Sequence, residues 1–456
     1  MKRFATLFLL LLTAFASRAQ ISPQQGARYQ AILDSVCGEL KVKGATAAVL
    51  LPGVGTWQGA TGISEVGVLM DTAMHLGLGS NTKTYVACLM LRLQELGMLS
   101  LEDTIGTWFP NQPNIPGQIK IRQLLNHTSG LYNFTNNPGI GDSVNADVSR
   151  VWQPAEVLPL ILAPIGVAGG PYAYCNTNYL LAGMIADAVT GMPLYDALQQ
   201  YIYGPQGMNN TFMYGFEQPT GTVSHSWSRI QAGAPQVDLA SIGFTHHAFL
   251  SMTYGAGALM STVGDNVRFW NNLYSGQILS PASMAQMRAY VPITTNNRYG
   301  LGIFRNANKF GGRTILRHGG TGVGYINENA VDTATGICVS VLTNQDSVGN
   351  GLVLDRVVAA LMREGLFPTA TSIAKADGME ALSIYPNPAT DRFFVSNLAK
   401  GTKLSLRDVA GRIMWQGTSV AEVTEVPAKG LATGVYSLEA VLPAGRQARG
   451  KVQVVR

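Results

Sequence analysis

The stretch "GLGSNTKTYVACLMLRLQEL" (residues 77–96) sets a serine and a lysine three apart just where an apolar helical pattern begins. Two readings compete for Ser80 and Lys83. In the bland one, Ser80 caps the helix and Lys83 is a solvated first-turn residue. In the chemical one they share a face, because residues three apart on a helix are neighbours, and the amine takes the hydroxyl proton. Gly77 and Gly79 supply a turn ahead of the pair, and Gly97 is suited to end the helix.

Upstream, "ARYQAILDSVCGELKV" has helical spacing, and "GATAAVLLPGVGTWQGATG" reads as two strands about a glycine turn. Downstream, the polar, turn-rich residues 133–154 are expected to form a surface loop. A second long helix is predicted in "YCNTNYLLAGMIADAVTG", closing on Gly191 with Pro193 beyond it, and a third in "GAGALMSTVGDNVRFWNNLYSG". Strands follow near 299–304, 313–318, 323–330 and 336–343, then a helix at 350–364. Strands at both ends with helices between predict an α+β domain, one mixed sheet covered by helices, over residues 20–366.

The composition changes at residues 367–380, "FPTATSIAKADGME", which read as a linker. Beyond it, 381–456 holds short alternating runs parted by turn residues, the pattern of a small all-β sandwich, with "DVAG" as a hairpin turn. Residues 1–19 read as an export signal: "MKR", then the apolar "FATLFLLLLTAFA", then small-residue chemistry that places cleavage near Ala19. That run is too short to span a bilayer, and no other segment reads as a span, so the mature protein is expected to be soluble.

With 456 residues, 46% of them hydrophobic and 13% charged, the chain is neither disordered nor a nucleic-acid coat. Its net charge of +5 sits at the ends, and residues 21–379 are slightly acidic. No nucleic-acid partner is expected. The four cysteines (Cys37, Cys88, Cys175, Cys338) form neither a CxxC pair nor a zinc pattern and are expected as buried free thiols; Cys37–Cys338 is the least implausible bridge.

Short motifs recur by chance. SxxK occurs at Ser80–Lys83 and at Ser372–Lys375; YxN at Tyr174–Asn176, Tyr325–Asn327 and Tyr385–Asn387; HxG at His75–Gly77 and His318–Gly320. Setting selects among them. Only Ser80–Lys83 opens an amphipathic helix. Tyr174 and Asn176 precede another helix in a segment where residues two apart point to one side, with Cys175 turned inward. His318, Gly319 and Gly320 end a strand, and glycines there admit close backbone approach. Three polar pairs at element ends are expected to converge on one cleft.

The blocks "LGLGSNTKTYVA", "IKIRQLLNHTSGL", "YAYCNTNYLLAGMIADAVTG", "YGAGALMST", "YGLGI" and "RHGGTGVGY" occur in that order over roughly residues 25–365. In this the chain resembles the serine hydrolases related to class C β-lactamases and DD-peptidases, the penicillin-recognising fold. The resemblance implies that Ser80 is acylated, that Lys83 accepts or relays its proton, and that Tyr174 shuttles protons to the leaving group and from water. It implies that Asn176 bonds the substrate amide or the lysine, and that His318 replaces the lysine of a Lys-Thr-Gly strand. Gly319, Gly320 and Thr321 would complete that strand, the N–H groups of Ser80 and Thr321 forming the oxyanion hole. A helix start and burial both disfavour a charged lysine, which makes Lys83 a usable base. Because the acylation base is disputed in related enzymes, the role goes to the Lys83–Tyr174 pair. A histidine at 318, only partly charged near neutrality, suits neutral substrates better than the carboxylate of a β-lactam.

The tail, with "IYPNPATD", "DVAGR", "GVYSLE" and a terminal basic strand, resembles the carboxy-terminal sorting domain of proteins exported by the type IX secretion machinery of Bacteroidetes. That implies contact with this machinery through 381–456, passage across the outer membrane, removal of the tail, and a secreted or surface-displayed product. His127 is read as a structural histidine bonding its own loop, and His225, His246 and His247 as no metal set. No metal or cofactor is expected. The leading expectation is an exported serine hydrolase acting on D-amino-acid peptides or small esters and amides. Its rival is a non-catalytic binder of peptidoglycan or β-lactams, and a lesser alternative is a true β-lactamase.

Overall fold

The computed structural model describes residues 20–455 apart from 230, 232, 311, 347–351, 367–379, 397, 409–410 and 444–446. The predicted signal segment and nearly all of the predicted linker lie outside the described residues.

Helix α1 (Pro23–Glu39) starts where the Ser22 side chain accepts the Gln25 amide, with proline in the first turn. Strands β1 (Gly44–Leu51) and β2 (Gly55–Glu65) form the expected hairpin, extended by β3 (Val68–Leu69). Helix α2 (Thr82–Glu95) is almost wholly buried, Thr82, Lys83 and Thr84 included, more deeply than an amphipathic surface helix would be. Helix α3 (Asn176–Thr190) ends on Gly191 in the left-handed conformation, as its sequence predicts.

Two expectations are corrected. Residues 133–154 are not a featureless loop: Phe134–Asn136 and Ile140–Asn145 are helical turns, and Phe134, Ile140, Val144 and Trp152 are buried. Four apolar anchors in a polar stretch are enough to fold it back onto the domain. The predicted third helix is a buried strand, Leu259–Ser261, followed by α4 (Val263–Tyr274), because Thr262 caps the helix by accepting the Asp265 amide.

The late strands are β4 (Val291–Pro292), β5 (Asn297–Tyr299), β6 (Phe304–Lys309), β7 (Arg313–Gly322), β8 (Tyr325–Asp332) and β9 (Cys338–Thr343), and α5 (Leu352–Leu366) closes the domain. Together with the first hairpin they build one nine-stranded sheet in the order β3-β2-β1-β9-β8-β7-β6-β5-β4. All its described pairings are antiparallel. The chain's first strands thus sit beside its last.

Each sheet face is covered. Ala45, Ala47, Val49, Val339 and Val341 pack with Leu33 of α1 and Leu361 of α5. The opposite face joins a larger core that holds α2, α3 and α4. Strands β1, β8 and β9 are accordingly buried along most of their length; β1 and β9 are largely apolar, while β8 buries Asn327, Glu328, Asn329 and Asp332. The predicted α+β class is the one observed.

In the tail, a five-stranded sheet and a three-stranded sheet enclose their own core, which includes Phe393, Val395, Leu406, Leu438 and Val452. This is the small all-β sandwich expected. Among the described residues no helix is long and apolar enough to cross a membrane. All four cysteines are buried and free, so the Cys37–Cys338 bridge does not form.

Candidate active site

Ser80 does not cap α2. It lies in a single 3₁₀ turn, Gly79–Asn81, just ahead of the helix. Gly79 has φ +46°, and a Cβ there would fall 2.9–3.1 Å from the backbone of Thr321. At Gly320 a Cβ would sit 1.8 Å from the Leu78 carbonyl, so only glycine lets the end of β7 lie against the serine turn. Asn327 on β8 fastens the contact, donating to the carbonyls of Leu78 (2.7 Å) and Gly77 (3.2 Å). This packing brings the Thr321 backbone beside the turn that carries Ser80.

Lys83, the second residue of α2, is fully buried. Its Nζ lies 3.0 Å from Ser80 Oγ, 2.7 Å from Asn176 Oδ1 and 2.8 Å from the Ala256 carbonyl. All three partners are uncharged, and Lys83 makes no ion pair among the described residues. Burial therefore drives its pKa down to about 7, opposed only weakly by the Cys175 thiol. Once neutral, the amine can donate to Asn176 and Ala256 and still offer its lone pair to the Ser80 hydroxyl proton.

Tyr174 and Asn176 flank an extended Cys175 (φ −149°, ψ 118°), so the two polar side chains turn to the cleft and the thiol turns inward. Tyr174 lines the cavity with Ser80, and its ring centroid is 4.9 Å from Lys83 Nζ. Burial holds this phenol above its ordinary pKa, more than the Ser80 contact lowers it. Asn176 also donates from Nδ2 to Thr135 Oγ1 (2.9 Å), which fixes its oxygen toward the lysine.

His127 donates its backbone N–H to the Leu124 carbonyl of its own loop (3.2 Å), while its ring bonds the Tyr174–Asn176 side instead. Its carbonyl accepts the Ala173 amide (2.9 Å), and its Nδ1 is 3.2 Å from the Cys175 amide and 3.1 Å from Asn178 Nδ2. It holds the Tyr174–Asn176 segment in place. Its φ of +59° lets a side chain reach back to that segment.

His318 lies on the cleft wall with both ring nitrogens occupied: Nδ1 against the Gly319 carbonyl (2.7 Å) and Nε2 against Tyr299 OH (3.1 Å). Burial lowers its pKa to about 3, against the weaker upward pull of the Gly319 bond. The expectation of a partly charged histidine is thus corrected. At neutral pH the ring is neutral.

Ser80, Tyr174, His318, Gly319, Gly320 and Thr321 all line one cavity of about 480 Å³. Sequence reasoning missed Tyr172, Phe304, Arg317 and Glu328, which line it too. Arg317 and Glu328 form a bidentate ion pair, with Arg317 Nε donating to Glu328 Oε1 at 2.8 Å and Nη2 donating to Oε2. The hairpin register pairs Gly319 with Glu328 across β7 and β8. Once the turn after Gly322 is seen, that register could have been read from the sequence.

The remaining histidines do not join the cleft. His225 pairs with Asp238 (2.8 Å), Glu65 standing 3.6 Å away, while His246 bonds Ser226 Oγ (2.8 Å). An imidazole–carboxylate hydrogen bond holds the first pair, and a buried hydrogen bond holds the second.

Residues 29–362 match the beta-lactamase family, and residues 383–449 match the secretion system C-terminal sorting domain. Penicillin-binding protein 4* of Bacillus subtilis (strain 168) is 27% identical over 267 residues, 54% of this chain and 56% of the relative. A putative D-alanyl-D-alanine carboxypeptidase of Escherichia coli (strain K12) is 26% identical over 273 residues, 54% of this chain and 62% of the relative. The chain thus spans little more than half the length of these curated relatives. The crystal structure of D-amino acid amidase from Ochrobactrum anthropi SV3 complexed with L-phenylalanine superposes with a TM-score of 0.65 at 27% identity, over 75% of this chain and 99% of that one. With the serine turn, the buried lysine and the glycine strand in one cleft, and with about three-quarters of its length matched, the chain belongs to the beta-lactamase family and carries a secretion-system sorting domain behind it.

Proposed function

We propose that this protein is an exported serine hydrolase that forms an acyl-enzyme on Ser80 and acts on D-amino-acid peptides, amides or small esters. One observation carries the reading: a lysine with no carboxylate partner, its pKa brought to about 7, lies 3.0 Å from the Ser80 hydroxyl. A binder would gain nothing from burying an unpaired amine, which costs several kcal/mol.

In this mechanism Ser80 Oγ attacks the substrate carbonyl while its proton passes to neutral Lys83. The raised pKa of Tyr174 keeps its phenol protonated at neutral pH. Tyr174 is therefore the donor rather than the base: it gives its proton to the departing amine or alkoxide and is reprotonated from Lys83. Water then attacks the ester on Ser80, and the same pair takes its proton and returns it to the serine. Backbone N–H groups at Ser80 and Thr321 would stabilise the oxyanion, each by about 3–4 kcal/mol. The kinship with a D-amino acid amidase and a putative D-alanyl-D-alanine carboxypeptidase supports the D-amino-acid class. The sorting tail supports secretion through a dedicated machinery that recognises it.

The test is labelling with a fluorophosphonate, read by intact mass and by peptide mapping, with Ser80→Ala alongside. The reading expects one adduct on Ser80, absent from the variant. Wild-type protein that takes up no label would refute it.

A further inference from the structure

Arg317 and Glu328 are the only charged side chains on the wall of the Ser80 cavity among the described residues. Strand β7 offers Arg317 and Gly319 on one face, and antiparallel pairing brings Glu328 directly opposite Gly319. A Cβ on residue 319 would stand 2.8 Å from Glu328 Oε2, the oxygen that Arg317 Nη2 takes. The glycine thus leaves room for the carboxylate to lie across the strand and close on the guanidinium.

The pairing has a consequence for substrates. A ligand ending in a free carboxylate loses its hydration on entering such a cavity and needs a cation to offset that cost. His318 is neutral with both nitrogens engaged. Lys83 lies beneath Ser80 with its three contacts filled. Only Arg317 remains, and its charge is already matched by Glu328, which would also repel an incoming anion. Amides and esters with uncharged ends carry no such cost.

We propose that Glu328 is a specificity-determining residue: by closing the cavity's one wall guanidinium into a neutral pair, it excludes substrates ending in a free carboxylate and leaves the site to amides and esters with uncharged ends. The proposal rests on the hydrolase reading for the identity of the cavity, and it narrows that reading's substrate class.

The experiment measures binding without turnover. Calorimetry on the full chain carrying Ser80→Ala compares N-acetyl-D-alanyl-D-alanine with its C-terminal amide. The amide is expected to bind at least as tightly as the acid. Glu328→Gln, added to the same background, is expected to tighten the acid about tenfold and leave the amide within about twofold, because it removes a repulsive element and not a contact. Arg317→Gln together with Glu328→Gln should cancel the gain. Tighter binding of the acid than the amide with Glu328 in place overturns the proposal, and that comparison needs no change to the ion pair. An equal change for both ligands on Glu328→Gln overturns it, and so does failure of both to bind. Fluorophosphonate labelling of Ser80 in the wild type reports separately on the hydrolase reading.

Discussion

Two cations of the same domain, one half-buried and one fully buried, make opposite use of their surroundings. Arg313 on β7 grips Asp332 on β8 with two hydrogen bonds, Nε to Oδ1 at 2.8 Å and Nη2 to Oδ2 at 2.6 Å, and these raise its already high pKa. Lys83 meets only a hydroxyl, an amide oxygen and a backbone carbonyl. The paired arginine keeps its charge and joins neighbouring strands. The unpaired lysine loses its charge near neutrality and gains a lone pair beside a hydroxyl. The choice of partner, a carboxylate or neutral oxygens, turns one cation into a brace and the other into a base.

The sharpest way to break this contrast is to delete the base. Lys83→Ala should lower kcat/KM for ester hydrolysis by about 10³-fold, with Tyr174→Phe costing about 10²-fold, both read by steady-state kinetics. Removing the brace should have the converse signature. Asp332→Asn, which leaves the half-buried Arg313 without its carboxylate, should cost about 1–3 kcal/mol in denaturant unfolding. The pH midpoint of activity should not move.

A third substitution carries the paired arrangement into the site. Asn176→Asp puts a carboxylate where Lys83 now has an amide oxygen at 2.7 Å. It should raise the lysine's pKa by about 1–3 units. The amine is active when unprotonated, so activity at pH 7 should fall at least about fivefold and recover on the alkaline side. Smallest is His127→Gln, which loosens the segment carrying Tyr174 without touching the reacting atoms. A fall of a few-fold in kcat with KM little changed is expected, with a modest loss of stability from the unmade hydrogen bonds, about 1–3 kcal/mol.

Most of the site's parts were legible in the sequence because each opens or closes a regular element. Ser80 lies in the turn just ahead of α2 and Lys83 in its first turn, Tyr174 precedes α3 and Asn176 opens it, and Gly319–Gly320 stand near the end of β7. Their meeting could be expected from element ends alone. Three things could not. The serine turn is 3₁₀, because strand β7 presses on Gly79, a tertiary contact with no local signal. The Leu259–Ser261 strand pairs with Leu76–Gly77 and Thr211–Met213, remote segments that override a helical-looking run. The neutrality of His318 comes from enclosure and from Tyr299, and spacing does not reveal either.

The most direct test of the account is the pH dependence of Ser80 acylation by a neutral p-nitrophenyl ester, followed by burst kinetics from pH 5 to 10. A depressed lysine predicts a rate that is low in acid and rises through a midpoint near pH 7, where Lys83 sheds its proton. A midpoint near 10, or a rate flat across that range, would contradict it.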